Sequence, residues 1–190
     1  VDQEPGKVGT VIVTNKSGLT AYRAKIWVDC TGDGDLAAYA GAKFELGEDN
    51  DPTEVQMATH CFEIGGVNDE TYTKGIRLHN ANPASPIFRI VDDARYPDVT
   101  DPHFCNNKIG FNSGHLPPFD PTDPKALSKA YILGRRKARE VTQALREYYP
   151  EAFGDSFLLA TAPLMGIRES RRIVCRYRLT AEDYLSRATF

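Results

Sequence analysis

"KIWVDCTGDGDLAAYAGA" spans Lys25–Ala42. It begins as an apolar strand pattern, breaks at two glycines set among aspartates, and resumes as a run of small residues that reads as a helix. Gly32 and Gly34 permit backbone angles that a Cβ forbids, and they let another molecule approach the main chain closely. Asp33 or Asp35 is the expected N-cap of the helix, and Gly41 its stop. The helix N-terminus, with unpaired N–H groups and a positive dipole end, would face the turn, and phosphate binds at such an end. The carboxylates of Asp29, Asp33 and Asp35 suit a different partner, the hydroxyls of a sugar or ribityl chain. A nucleotide cofactor carries both groups. The residues alone also allow a plainer reading, in which Asp35 is only a cap and the glycines only make a tight turn. A calcium loop does not fit, because the twelfth position from Asp29 is Ala40 and from Asp33 is Phe44, where a bidentate Glu is needed.

Upstream, "GTVIVT" is rich in β-branched residues, "NKSG" is a polar turn with Gly18 available for positive φ, and "TAYRA" continues as a strand. "KIWVDC" is predicted as a short strand buried on both faces. Downstream, "VQMATHCFEIGGV" reads as a strand ending at Gly65–Gly66. Residues 68–124 are irregular, with one short strand expected near Ile87–Val91. A long helix is predicted to start after Asp123–Pro124 and end before Pro150, with Leu127, Tyr131, Ala138, Val141 and Leu145 on its apolar face. Its Arg135, Arg136, Lys137 and Arg139 are expected to form a solvated face. Two more strands follow, then a helix opened by a capping box of Thr180 and Asp183.

The composition is that of an ordinary soluble globule: 190 residues, 41% hydrophobic and 26% charged, with a net charge of −3. Such a balance gives no field for nucleic acid, and no apolar run approaches the ~20 residues that span a bilayer. No membrane partner is therefore expected, and a cytoplasmic location is. The oligomeric state is not readable. Cys30, Cys61, Cys105 and Cys175 form no C-x-x-C pair, so no metal site is expected, and the thiols are predicted to be reduced and mostly buried. The chain opens at Val1 and runs almost at once into a strand pattern, which leads us to expect a piece of a longer polypeptide. There is no G-x-G-x-x-G between a strand and a helix, so the first βαβ unit of a dinucleotide fold is missing.

Two separated blocks carry a resemblance. "GTVIVTNKSGLTAYRAKIWVDCTGDGDLAAYAGAKFELG" resembles the middle section of FAD-dependent oxidoreductases, in which a β-meander and a strand ending in aspartate lead to T-G-D-G-D and a small-residue helix. "GIRESRRIVCRYRLTAEDY", from Gly166 to Tyr184, is similar to the G-x-R-E-S-R-R segment of the same family. The resemblance implies a glutathione-reductase-like FAD fold with an inserted substrate domain. The fold class expected here is α+β, part of an α/β FAD-binding fold. Residues 1–50 would be a partial FAD-binding domain, with the meander, turn and helix. Residues 51–190 would be a substrate or cap domain with a mixed sheet and one long helix, incomplete at its C-terminus. Thr31, Gly32 and Asp33 would lie beside FAD, with Gly34 and Asp35 in the same turn. The family's glycine-rich N-terminal motif and its C-terminal segment are both missing, so this piece alone is expected to hold FAD weakly or not at all, and to be inactive.

The remaining candidates follow from the same resemblance. Arg is suited to bidentate capture of carboxylate or phosphate. Arg168 and Arg172, with Glu169 holding a guanidinium in place, are candidates for a substrate's anionic group, while Arg176 and Arg178 read as structural. The competing reading makes the whole block an ion-pair network. His60 stands alone in an apolar strand, which fits a core group, yet it is also the candidate for proton transfer near the flavin. His79, His103 and His115 are too scattered for a metal site. The implied activity is hydride transfer from a small, anionic organic substrate to FAD. The alternative is a non-enzymatic ligand-binding or interaction module with a structural Arg/Glu network.

Overall fold

A computed structural model describes residues 6–52, 54–78, 82–96 and 110–189. His79, His103 and Cys105 lie outside the described residues. The first elements are β1 (Val11–Asn15), β2 (Gly18–Tyr22), α1 (Asp35–Tyr39) and β3 (Phe44–Glu45). There follow β4 (Phe62–Gly65), α2 (Asp69–Lys74), α3 (Ile87–Val91), β5 (Gly110–Phe111) and α4 (Pro124–Tyr148). The last are α5 (Pro150–Phe153), β6 (Phe157–Thr161), β7 (Arg172–Ile173) and α6 (Ala181–Ser186). This mixture of helices and small sheets is the α+β class. The chain divides into two compact units, Val1–Asp51 with Ser170–Phe190, and Pro52–Glu169. The chain from Ser170 onward thus returns to the first unit, whereas the sequence places it with the second. The cause is pairing: β3 and β7 run antiparallel, with Phe44 opposite Ile173 and Glu45 opposite Arg172.

In the first unit, β1 and β2 form an antiparallel hairpin in the register Val11–Tyr22 to Asn15–Gly18. The turn works as its composition suggests: Asn15 Oδ1 accepts from the Ser17 amide at 2.8 Å. The segment read as a buried strand behaves differently. Residues 25–30 belong to no strand, Ile26 is 82% exposed and Val28 76%. No strand among the described residues lies beside them to accept that apolar pattern. Trp27 is anchored by its Nε1, which donates to Val8 O at 3.1 Å. Leu46 is the one large apolar side chain buried in this unit among the described residues. Cys30 and Cys175 are exposed and Cys61 half-buried, all three as free thiols, which corrects the expectation of mostly buried cysteines. At the far end, Thr180 and Asp183 form the predicted capping box on α6.

The second unit carries the core. Its sheet runs β5–β4–β6, all antiparallel, with Phe62 between Phe111 and Thr161 and a bulge at Glu63/Ile64. α4 covers it. The helix starts where the sequence predicts: Asp123 caps by accepting from the Lys125 amide at 2.9 Å, and Pro124 fills the first turn. Ala138, Val141, Ala144 and Leu145 share one buried cluster with Phe62 and Ile64, which Leu78, Ile87, Ile90 and Phe153 also join. Each large side chain buried there contributes roughly 1.5–3 kcal/mol. α3 stands where a strand was expected. Ile87 and Ile90 are both buried while Arg89 and Val91 are exposed, a three-residue spacing that only a helix turns inward. Of the charged residues on α4, Arg135, Arg136 and Arg139 are exposed as predicted, but Lys137 is 4% exposed and donates to His115 O at 2.7 Å. Its aliphatic stem passes under the Gly114–His115 loop, and a backbone carbonyl receives the ammonium. No helix among the described residues is long and apolar enough to cross a membrane.

Candidate functional site

The acid-glycine turn of the first unit is built by its own side chains. Asp29 Oδ1 accepts from the Thr31 amide at 2.9 Å and from the Thr31 hydroxyl at 2.7 Å, while its Oδ2 accepts from the Ala37 amide at 2.8 Å. Thr31 Oγ1 in turn accepts from the Asp35 amide at 2.8 Å. These two side chains satisfy the start of α1 from a distance. The N-cap position falls to Gly34, in the left-handed region at φ 62°, ψ 34°, with no side-chain cap of its own. Neither Asp33 nor Asp35 is therefore the cap. The idea of a free helix end aimed at phosphate is also overturned: the amides of Asp35 and Ala37 are occupied, and the Asp29 carboxylate already faces the positive end of the dipole. The Asp-x-Thr spacing, an Asx turn, was the sequence signal for this role of Asp29.

What the turn leaves open lies one step earlier. The amides of Gly32, Asp33 and Gly34 make no hydrogen bond with the described residues, nor does the Asp33 carboxylate. A Cβ built on Gly32 meets nothing within 4 Å. Three unpaired donors and one unpaired carboxylate line an approachable stretch of main chain. Such a set matches a ligand rich in hydroxyls, which donate to carboxylates and accept from amides.

Hydrogen bonds from Ala37 first, then from Thr31, hold the Asp29 carboxyl below its ordinary 3.8. A depressed folded value stabilises the cap above the unfolded pKa and loses that contribution as pH falls through the lowered value. NMR protection factors at Asp35 and Ala37 are expected to hold from about pH 6 to about pH 4 and to fall below that. Protection that is flat to about pH 2 would contradict the assigned cap.

The arginine block divides between the two units. Arg171, not among the sequence candidates, is the one that reaches the turn. Its Nη1 donates to Asp35 Oδ1 at 2.6 Å and to Asp33 O at 3.2 Å, and its guanidinium lies 5.3 Å over the Phe44 ring. Arg172 donates to Gly47 O and sits 3.9 Å from Glu45 Oε2, which Arg178 also approaches at 3.4 Å. In the second unit, Arg168 is exposed and donates to Thr59 Oγ1 at 3.1 Å, and Glu169 accepts from the Gln56 amide at 2.9 Å. Arg168, Glu169 and Arg172 thus make separate contacts, with Thr59, Gln56 and Gly47 in turn.

His60 is 1% exposed. Its Nε2 donates to Ala162 O at 2.8 Å, its ring meets Tyr131 edge-on at 5.4 Å, and its Nδ1 is buried without a partner. Gly134 of α4 lies directly against it. Among the described residues no group of His, Cys, Asp and Glu could hold a metal ion.

No curated protein and no solved structure matches the chain. A family model described as FAD dependent oxidoreductase matches residues 1–190, the full length given. With that match over the whole chain, the chain belongs to the FAD dependent oxidoreductase family.

Proposed function

We propose that the turn Thr31–Gly34 receives the sugar-alcohol portion of FAD, within a flavoprotein that oxidises a small, anionic organic substrate. The observation that carries this reading is the open side of the turn: three amides and the Asp33 carboxylate with no partner among the described residues, and a bare Gly32. Asp33 accepts from cofactor hydroxyls, while Gly32 and Gly34 donate main-chain N–H groups. Asp29 and Thr31 shape the turn from behind, and Asp35 is engaged by Arg171. Bound FAD supplies the hydride acceptor. Arg168, exposed and with most of its five donors uncommitted, is the candidate contact for the substrate's anionic group. For His60 the burial favours packing, with its Nε2 hydrogen committed to Ala162 O.

The apolar residues left in solvent around the turn, Ile26 and Val28 among them, support a flavin domain completed by further polypeptide. On that reading residues 1–190 by themselves hold FAD weakly. A binding module with structural ion pairs would share the Arg171 and Arg172 contacts but would not account for the family match.

The test is an absorbance spectrum of the complete natural polypeptide, followed by FAD titration of its Asp33→Ala variant. Flavin bands are expected in the parent, and about tenfold weaker FAD binding in the variant, the size of hydrogen bonding to one charged group. A colourless protein that cannot be reconstituted, or a variant that binds FAD like the parent, would defeat the proposal.

A further inference from the structure

We infer that Arg171 is a positioning residue for the cofactor: it holds the turn in its binding shape through Asp35 and the Asp33 carbonyl, and binding at the turn tightens the β3–β7 ladder in return. The inference rests on the placement of FAD at this turn. Arg171 has the geometry for the task. Its side chain is 12% exposed, packed on Phe44, and one nitrogen serves both Asp35 Oδ1 and Asp33 O. The Asp33 carbonyl and the Gly34 amide belong to one planar trans peptide, so they point in opposite directions. Drawing the oxygen toward Arg171 therefore aims the Gly34 N–H away from it, toward the open side of the turn. Ile173, two residues beyond Arg171 and in β7, backs the same glycine: a Cβ on Gly34 would lie 3.0 Å from its Cδ1. The segment Arg171–Ile173, which leads into and forms β7, thus holds the turn by an ion pair, a carbonyl and a packing contact. Asp35 serves the cofactor only through Arg171.

Coupling of this kind is reciprocal. A ligand that favours the held turn favours the strand that holds it. The amide of Val174, which donates to Lys43 O at 2.9 Å just beyond the ladder, reports on that strand.

The test uses the complete natural polypeptide with Arg171→Met, Asp35→Ala, the double variant and Arg171→Lys. FAD affinity is read by flavin fluorescence and amide exchange by mass spectrometry. Each single loss is expected to weaken FAD binding about tenfold, and the double variant no more than either single one, because both remove one interaction. Arg171→Lys, which keeps the cation, restores most of the affinity. FAD protects the Val174 amide in the parent and not in Arg171→Met. A structural role alone would shift the melting temperature without removing that FAD-dependent protection. If Arg171→Met fails to fold, Asp35→Ala, on the more exposed side of the pair, carries the same measurement. Unchanged affinity in Asp35→Ala and Arg171→Met, or single effects that add in the double variant, overturns the inference. If those results accompany a weakened Asp33→Ala, only the role of Arg171 fails. If Asp33→Ala also binds normally, the placement of FAD fails with it.

Discussion

Gly134→Ala is expected to destabilise the protein by about 2–3 kcal/mol, the upper range for overpacking a core. In an exposed helix the same change would gain about 1 kcal/mol from propensity. Here the new methyl would stand 2.6 Å from both Cβ and Nδ1 of His60 and 2.9 Å from its Cγ. His60 cannot retreat. Its neighbour Thr59 donates its N–H to Gly166 O at 3.2 Å and accepts from the Gly166 amide at 2.8 Å, and the Nε2 of His60 donates to Ala162 O. His60→Ala in the same chain would not relieve the clash fully, because its Cβ remains. Denaturant midpoints of the parent and variant measure the effect. A variant as stable as the parent would show that His60 and α4 are less closely packed than these distances require.

Gly34→Val is the second large effect. A β-branched residue at φ 62° is strained, and its Cβ would press on Ile173 at 3.0 Å. The combined cost is about 2–3 kcal/mol, which at equilibrium is about a hundredfold weaker FAD binding. The core around Ile64 and Leu145 belongs to the other unit and should keep its hydrogen-exchange protection. FAD binding unchanged by this substitution would mean that the left-handed conformation at Gly34 has no part in holding the cofactor.

The elements that could be read from the sequence are those whose causes are local. The Asn15–Gly18 turn, the Asp123–Pro124 start of α4 and the Thr180–Asp183 capping box each satisfy their own backbone within a few residues. Errors occurred where distant partners decide. "KIWVDC" has the pattern of a buried strand, but pairing, not pattern, makes a strand, and no described strand pairs with it. Residues 87–91 form a short apolar run in which helix and strand periods are hard to separate, and burial of Ile87 with Ile90 settles it as a helix. Lys137 looked like one of a charged face until a loop closed over it. At the site, the residue types were readable and their roles were not. Three aspartates in seven residues look equivalent in sequence, yet Asp29 caps α1, Asp35 pairs with Arg171, and Asp33 alone keeps its carboxylate open. Gly134, a glycine in the middle of an otherwise strong helix, was the available sign of close packing against His60.

Amide exchange of the complete natural polypeptide with and without FAD, resolved at single residues, tests the central claim most directly. FAD should slow exchange at Gly32, Asp33 and Gly34, the three turn amides with no partner among the described residues. It should leave Ala37, already bonded to Asp29, nearly as it was. Protection elsewhere in the protein with no change at Gly32, Asp33 and Gly34 would contradict the account.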